Sequence, residues 1–279
     1  MHKKLATLMG ATALCLALAT PALAQKAKDT LRIGVYQPIS IIDPLFDPQP
    51  QTDLMNRVVF DTLVNFDVEK KEIVPGLAES WTQIDPLTWE FKLRKDVKFH
   101  NDDPFDADDV VYSTKYVMDP EARFRFKEQR FGHLAGVEKI DQYTVRIKTK
   151  VPVAAFLARL TTQLSILPSR VHSKLADKAV FGRAPIGTGP YKATMVDSNK
   201  GVTLVKNANF KHGNVGQPAG KIGTITLETF PDAQTQVARM MVGDQDLMYD
   251  IATDVAGFLK SNPALDVEVR PSIQFTYIM

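Results

Sequence analysis

Apolar and polar residues alternate along several stretches of the chain, which predicts strands with one buried face. The clearest case is residues 89–94, where Trp, Phe and Leu alternate with Glu, Lys and Arg. Shorter runs of the same kind occur at residues 31–35, 143–148, 202–205 and 225–227. The predicted strands are therefore spread over the whole chain.

Other stretches have the spacing of a helix with one apolar face, and residues 107–118 show it best. Asp106 is placed to cap the N-terminus of this helix, and Asp109 adds negative charge to its first turn. The helix ends at Asp119-Pro120, because a proline disfavours helical geometry in the residue before it.

Two further helices are predicted on either side of this region. One begins at Leu54 and ends near Asn65. The other covers residues 232–242 and stops at Gly243, the residue type best able to take a left-handed cap. Helices and strands in this order indicate an α/β protein.

The densest run of signals, residues 73–113, closely resembles the signature of the family 5 extracellular solute-binding proteins. The resemblance rests on PGLAESW at residues 75–81, RKD at 94–96, the Phe99-His100 step and the Asp109-Val110 pair that opens the helix. The chain departs from the family pattern at residues 101–103, where Asn-Asp-Asp replaces an Asp-Gly turn, and at Asp106, where threonine usually caps. Both replacements suit turns or caps.

A second family motif is IGTGPY at residues 186–191. Its glycines permit a tight and otherwise strained turn before a strand. The alternative is a phosphate-binding loop, but the motif lacks the further glycine and the Lys-Ser/Thr ending that such a loop needs. We favour the structural turn.

The resemblance implies a lobe of the type II periplasmic-binding-protein fold. Family members have two lobes around a cleft and are about twice as long as this chain. We therefore expect the first lobe at residues 25–279, an inserted α/β subdomain at about residues 60–168, and the start of a crossover strand at residues 273–279. The second lobe would be missing, so we expect a fragment whose half-cleft binds no solute tightly by itself.

The first 24 residues have the features of a cleaved signal peptide. A short basic start precedes an apolar run too short to span a membrane, and small residues lead to a cleavage site between Ala24 and Gln25. A retained membrane anchor is the alternative. Cleavage would remove Cys15, and the loss of Lys3 and Lys4 would cancel the formal charge of +2. We expect a periplasmic protein without disulfides and with no affinity for nucleic acid.

Clustered polar residues suggest other chemistry, which we weigh against simpler roles. His100 and the aspartates from Asp102 to Asp109 could form a metal site, but they lack calcium-loop spacing and suit turns and caps. No histidine pair has zinc-helix spacing, and no nucleophile motif is present. We expect no enzyme activity, metal or cofactor.

Two aromatic features also allow two interpretations. Trp81 and Trp89 sit at patterned positions, where core packing is favoured over ligand stacking. The basic residues between Arg123 and Arg130 alternate with phenylalanines and could contact an acidic partner, although a solvated edge is favoured.

The function that the resemblance implies is solute capture for an ABC importer, with delivery to its membrane permease subunits. We expect a monomer. Its ligand is expected to be a di- or oligopeptide, since most members of the family that it resembles carry peptides. The alternatives are a secreted metal-dependent hydrolase, or a periplasmic chaperone or sensor accessory built on the same lobe. The residues expected to contact ligand are Pro48, Gln49, Pro50, Phe126, Ser272, Thr276 and Tyr277.

Overall fold

The computed structural model describes residues 29–47, 49–213, 216–230, 232–249 and 251–268. Its strands are β1 (Thr30–Val35), β2 (Val64–Asp67), β3 (Glu72–Pro75), β4 (Ala78–Asp85), β5 (Thr88–Leu93), β6 (Leu134–Asp141), β7 (Thr144–Thr149), β8 (Tyr191–Asp197), β9 (Gly201–Lys206), β10 (Thr224–Thr229) and β11 (Leu247–Met248). Its helices are α1 (Pro50–Val59), α2 (Ala107–Met118), α3 (Lys127–Phe131), α4 (Phe156–Gln163), α5 (Ser169–His172), α6 (Ala233–Met241) and α7 (Thr253–Leu259), with a 3-10 helix at Lys178–Arg183. The predicted α/β class is confirmed. No helix in these ranges is long and apolar enough to cross a membrane.

A five-stranded sheet brings together the two ends of the described chain, in the order β11-β1-β10-β9-β8. The strand β1 lies between β11 and β10 and pairs in parallel with both, whereas β9 and β8 are antiparallel additions. The Arg32 guanidinium, on β1, donates to both carboxylate oxygens of Asp246 at 3.0 and 3.1 Å. This bidentate pair fixes the position of the chain that enters β11.

A four-stranded sheet, in the order β4-β5-β7-β6, is built from two hairpins. The strands β5 and β7 meet in the centre, and helix α2 packs on this sheet. Both Phe91 and Val145 are fully buried and pair across the centre, which explains the alternation seen in the sequence. The sheet lies within residues 60–168, although the bounds of a subdomain there stay a prediction.

Helix α2 has the predicted bounds and the predicted cap. A side-chain oxygen of Asp106 accepts a hydrogen bond from the backbone N–H of Asp108 at 3.0 Å. Asp109 completes a capping box, because its carboxylate accepts from the backbone N–H of Asp106 at 3.1 Å. Asp106 also pairs with Arg170 at 2.8 Å, which ties the start of α2 to α5.

The predicted end of the helix that follows Leu54 is wrong. Helix α1 stops at Val59, and Phe60 already has extended geometry. The apolar residues Leu63 and Val64 are fully buried, but they lie in an extended segment that leads into the β2-β3 hairpin. A buried apolar run suits either element, and here tertiary contacts decide in favour of the strand.

The IGTGPY segment forms the predicted turn before β8, but for a different physical reason. Positive φ angles occur at Gly201 and Gly243 and not at Gly187 or Gly189. A Cβ on Gly187 would lie 1.9 Å from the carbonyl oxygen of Val59. The glycines of the motif are therefore required by close backbone packing against the end of α1.

His100, from the other family motif, holds this turn with both ring nitrogens. Its Nδ1 accepts from the backbone N–H of Gly187 at 3.2 Å, so its Nε2 carries the proton and donates to the carbonyl of Gly189 at 3.0 Å. Burial lowers the pKa of His100 to about 4, in keeping with this neutral tautomer. The two sequence motifs thus form one structural unit.

A buried polar cluster lies beside this turn. One carboxylate oxygen of Asp61 accepts from the Thr188 hydroxyl at 2.7 Å and from Nε2 of His212 at 2.9 Å. All three side chains are buried. The cluster joins the segment after α1, the glycine turn and the loop that follows β9.

Candidate ligand-binding site

Three parallel strands end at the same edge of the five-stranded sheet. The strand β1 ends at Val35, and its parallel partners β10 and β11 end at Thr229 and Met248. In open sheets with parallel strands, ligands bind in the crevice outside the carboxyl ends of those strands. We call this the carboxyl edge, and it is the first place to look for a site.

Residues that follow the three strands form the carboxyl edge. Tyr36, directly after β1, is 40% exposed, and Tyr249, directly after β11, is partly buried. Gln37 is exposed and its side-chain oxygen accepts from the buried amide of Gln51 at 2.7 Å. Aromatic rings and amide groups thus lie at the edge.

The loop that leads from β1 to α1 is held by the side chain of Asp43, which precedes Pro44. A carboxylate oxygen of Asp43 accepts from the backbone N–H groups of Leu45 at 2.8 Å and Phe46 at 3.0 Å. Burial raises the pKa of Asp43 above its usual range, although these two hydrogen bonds oppose the shift. The loop is therefore anchored before it reaches Gln49.

An arm of the chain, residues 119–132, packs against this loop. The Arg130 guanidinium donates to the carbonyls of Pro44 at 2.9 Å and Gln163 at 3.0 Å. Burial lowers the pKa of Arg130 relative to an exposed arginine. The ring of Phe124 meets the ring of Phe46 edge-on, with centroids 6.3 Å apart. The basic run is thus a solvated edge only in part, because Arg130 is partly buried and hydrogen-bonds to two backbone carbonyls.

Phe126 stands out within this arm. It has a left-handed backbone conformation, with φ of 57°, which is uncommon for a residue with a bulky side chain. Its ring is 51% exposed, and the Arg125 guanidinium lies 5.1 Å from the ring centroid. An exposed aromatic ring in a strained position, on an arm fixed to the loop, is suited to ligand contact.

Of the predicted ligand contacts, Gln49 and Phe126 are described in full and both are exposed. Gln49 stands directly before α1, whose first residue is Pro50, and its carbonyl accepts from the backbone N–H of Asp53 at 2.8 Å. The structure places Gln49 on the loop that the arm contacts. The remaining predicted contacts lie outside the described residues and stay predictions, namely Pro48, Ser272, Thr276 and Tyr277.

Sequence reasoning missed Tyr36 and Gln37. The available signal was their position directly after a predicted strand, but it becomes informative only when that strand is known to lie between two parallel neighbours.

Within the part of the chain that the structure describes, no group of three or more acidic, histidine or cysteine side chains could hold a metal. The aspartates near the start of α2 have other partners. Asp102 accepts from the Asn209 amide at 3.0 Å, and Asp108 pairs with Lys139 at 2.7 Å. These contacts, with the caps made by Asp106 and Asp109, account for the acidic cluster.

Comparison with known families is decisive for classification. Residues 72–279 match the family model described as bacterial extracellular solute-binding proteins, family 5 Middle. The chain belongs to this family. The match begins at β3 and includes both motifs that His100 joins, so the family 5 signature coincides with a structural unit.

Several family 5 relatives resemble the chain over most of its length. Heme-binding protein A of Haemophilus influenzae is 29% identical over 245 residues, which cover 80% of this chain and 44% of that protein. The nickel-binding periplasmic protein of Escherichia coli is 29% identical over 233 residues, covering 81% and 43%.

Solved structures support the same fold. The periplasmic binding protein DppA of Helicobacter pylori, in complex with the peptide STSA, matches with a TM-score of 0.74 and 27% identity. The match covers 84% of this chain and 49% of that one. The family 5 chain described here therefore has the fold of a type II periplasmic-binding-protein lobe and spans about half the length of the relatives it matches.

Proposed function

We propose that this chain is the lobe of a periplasmic substrate-binding subunit, which captures a solute for an ABC importer. The observation that carries the proposal is the carboxyl edge, where three parallel strands end together beside an anchored loop. Ligand capture at such an edge needs no covalent chemistry, in agreement with a family of solute-binding proteins.

The solute that the edge suits best is a short peptide. Gln37 and Gln49 offer uncharged amide groups, which match the donors and acceptors of a peptide backbone. Tyr36 and Phe126 offer exposed rings for an apolar side chain. The peptide complex of DppA supports the same class, whereas the names of other relatives point to heme and nickel.

Delivery to the importer would follow the general scheme of two-lobed binding proteins. Closure of two lobes around the ligand produces the form that membrane permease subunits recognise. In this scheme the chain is exported to the periplasm by its signal peptide and acts as a monomer.

A thermal-shift series tests the proposal. The purified chain is heated with a tripeptide, nickel or heme, each at several concentrations, because a ligand that binds only the folded state raises the melting temperature with concentration. Because a half-cleft leaves one side of its ligand in water, we expect a shift only at high ligand concentration, larger for the peptide than for nickel or heme. We expect Tyr36→Ala and Phe126→Ala to reduce it.

The control variant is Phe258→Ala, which removes another exposed ring, on α7. If the peptide still raises the melting temperature of both site variants, the carboxyl edge does not bind it. The same conclusion follows if the control variant loses this rise to the same extent as the site variants. Hydrolysis of the peptide during the assay would instead favour the hydrolase alternative.

A further inference from the structure

One side chain connects three separate segments around the candidate site, and it belongs to Arg130 of the arm. Its Nη1 donates to the carbonyl oxygen of Pro44, in the loop between β1 and α1, at 2.9 Å. Its Nη2 donates to the carbonyl oxygen of Gln163, the last residue of α4, at 3.0 Å. The arm, the loop and α4 lie far apart in the sequence, so Arg130 forms a junction between them.

The guanidinium group is suited to such a junction. It is planar and carries its N–H donors in a fixed fork, so it holds two acceptors at set positions relative to each other. The carbonyl of Gln163 belongs to the last turn of α4, where carbonyls lack a partner within the helix and the helix dipole favours a cation. A lysine would keep the charge, but its single nitrogen cannot reproduce the fork.

The position of Arg130 is better explained by geometry than by stability. The residue is partly buried. Moving a charge out of water costs free energy, and this cost offsets much of what its hydrogen bonds contribute to the stability of the fold. A pair of directional hydrogen bonds from one rigid group does, however, define where the arm lies.

The two segments that Arg130 joins carry the two described candidate contacts. The backbone N–H of Arg130 donates to the carbonyl of Phe126 at 3.0 Å, so the exposed Phe126 lies one helical turn from the junction. On the other side, Gln49 is the last residue of the loop before α1. The rings of Phe124 and Phe46 also join the arm to the loop, but an apolar contact lacks the directionality of a hydrogen bond.

We propose that Arg130 is a positioning residue of the ligand site, which holds the arm against the loop in one arrangement so that Phe126 and Gln49 meet the ligand together. Without it, the arm and the loop adopt several relative arrangements, and only a fraction of the molecules is competent to bind. The apparent affinity then falls by that fraction. The proposal rests on the proposed function, because it assumes that Phe126 and Gln49 contact a ligand.

Distances between spin labels test the positioning without any ligand. In the purified chain, Cys15→Ser removes the single cysteine, and labels are attached at Leu54→Cys on α1 and Arg123→Cys on the arm, both exposed positions. We expect one narrow distance distribution in this background, and a distribution about twice as wide once Arg130→Lys is added. An unchanged width would overturn the proposal.

Two control variants separate positioning from more general effects. Arg159→Lys is the matched exchange, because Arg159 of α4 donates to the carbonyl of Gln129 on the same arm, at a longer 3.5 Å. Asp106→Ala removes the cap at the end of α2 that is remote from the arm. Both controls are expected to keep the narrow distribution. A wide distribution in Asp106→Ala would show that the width follows stability alone, and this would also overturn the proposal.

Thermal-shift titration with trialanine tests the consequence for binding. We expect Arg130→Lys to need about tenfold more peptide for the same rise in melting temperature, as when one molecule in about ten is competent to bind. The two controls should need the same amount as the unsubstituted chain. If Arg130→Lys also needs only that amount, the arrangement that Arg130 holds has no bearing on the ligand and the proposal is wrong.

The two measurements distinguish failure of this proposal from failure of the proposed function. If trialanine does not raise the melting temperature of the unsubstituted chain, the proposed function is wrong for peptides. The label distances alone then support or overturn Arg130 as the residue that fixes the arm.

Discussion

The two sheets of this molecule are held together in opposite ways. The five-stranded sheet collects segments from both ends of the described chain and is flanked by buried polar contacts such as the Asp61 cluster. The four-stranded sheet consists of two local hairpins, and its charged contacts lie on the surface, as in the pair between Glu90 and Arg146 at 2.9 Å. The difference indicates where a single substitution will destabilise the fold most.

Buried and exposed polar contacts respond differently to the loss of one partner. In the interior, the group left behind has lost its water as well as its partner, whereas an exposed group is solvated again. We therefore expect stability to depend strongly on polar residues around the five-stranded sheet and weakly on those across the four-stranded sheet.

Removal of the Asp61 carboxylate should produce the largest effect. Asp61→Ala leaves the Thr188 hydroxyl and the His212 ring buried without their acceptor, and we expect a loss of ~3 kcal/mol in the free energy of unfolding. Urea denaturation at neutral pH measures it. The control is Asp108→Ala, which breaks an exposed pair with Lys139. Equal losses in both variants would contradict the distinction between the two regions.

The second effect concerns protonation of His172. Burial lowers the pKa of His172 to about 4, and its Nδ1 lies 2.6 Å from the Tyr112 hydroxyl. Between pH 6.5 and 4 the unfolded chain binds a proton here that the folded chain does not, so stability falls as the pH falls. For this one residue the loss is ~2 kcal/mol between pH 6.5 and pH 5.

His172→Phe should remove that part of the acid sensitivity, since phenylalanine does not titrate. Denaturation midpoints measured from pH 7.5 to pH 4.5 give the slope for each variant. Tyr112→Phe keeps the histidine and should retain the steeper slope. If His172→Phe has the slope of the unsubstituted chain, the acid response originates elsewhere.

The smallest of the three effects is at the helix cap on the four-stranded sheet. Asp106→Ala removes the hydrogen bond to the N–H of Asp108 and the ion pair with Arg170, and should destabilise by ~0.5–2 kcal/mol. Asp106→Ser keeps the cap and loses only the ion pair, so it should lie close to the unsubstituted chain. Identical midpoints for all three proteins would show that the cap does not contribute.

The sequence signals worked where structure is decided locally. The bounds of α2, its cap at Asp106 and the stop of α6 before Gly243 follow from residues within one or two turns of each other. The alternation at residues 89–94 likewise reflects one strand between two neighbours. In these places propensity, capping and burial all favour the same conformation.

The signals failed where distant residues decide. Nothing near Asp61 indicates that it will meet Thr188 and His212, and the buried run at Leu63 and Val64 suits a helix as well as a strand. The residues of the candidate site also differ in whether local sequence is enough to recognise them. An exposed Phe126 could be singled out from its setting, whereas Tyr36 becomes a candidate only after β1 is known to lie between two parallel strands.

The pairing of β1 also bears on the order in which the molecule assembles. Thr30, in the first described strand, pairs with Thr224, and Ile33 pairs with Leu247. Each hairpin of the four-stranded sheet needs only a short loop to close, whereas β1 must wait for residues near the other end of the chain. During synthesis the strand β1 therefore remains without its neighbours for the longest time, and it is the segment for which a chaperone would matter most.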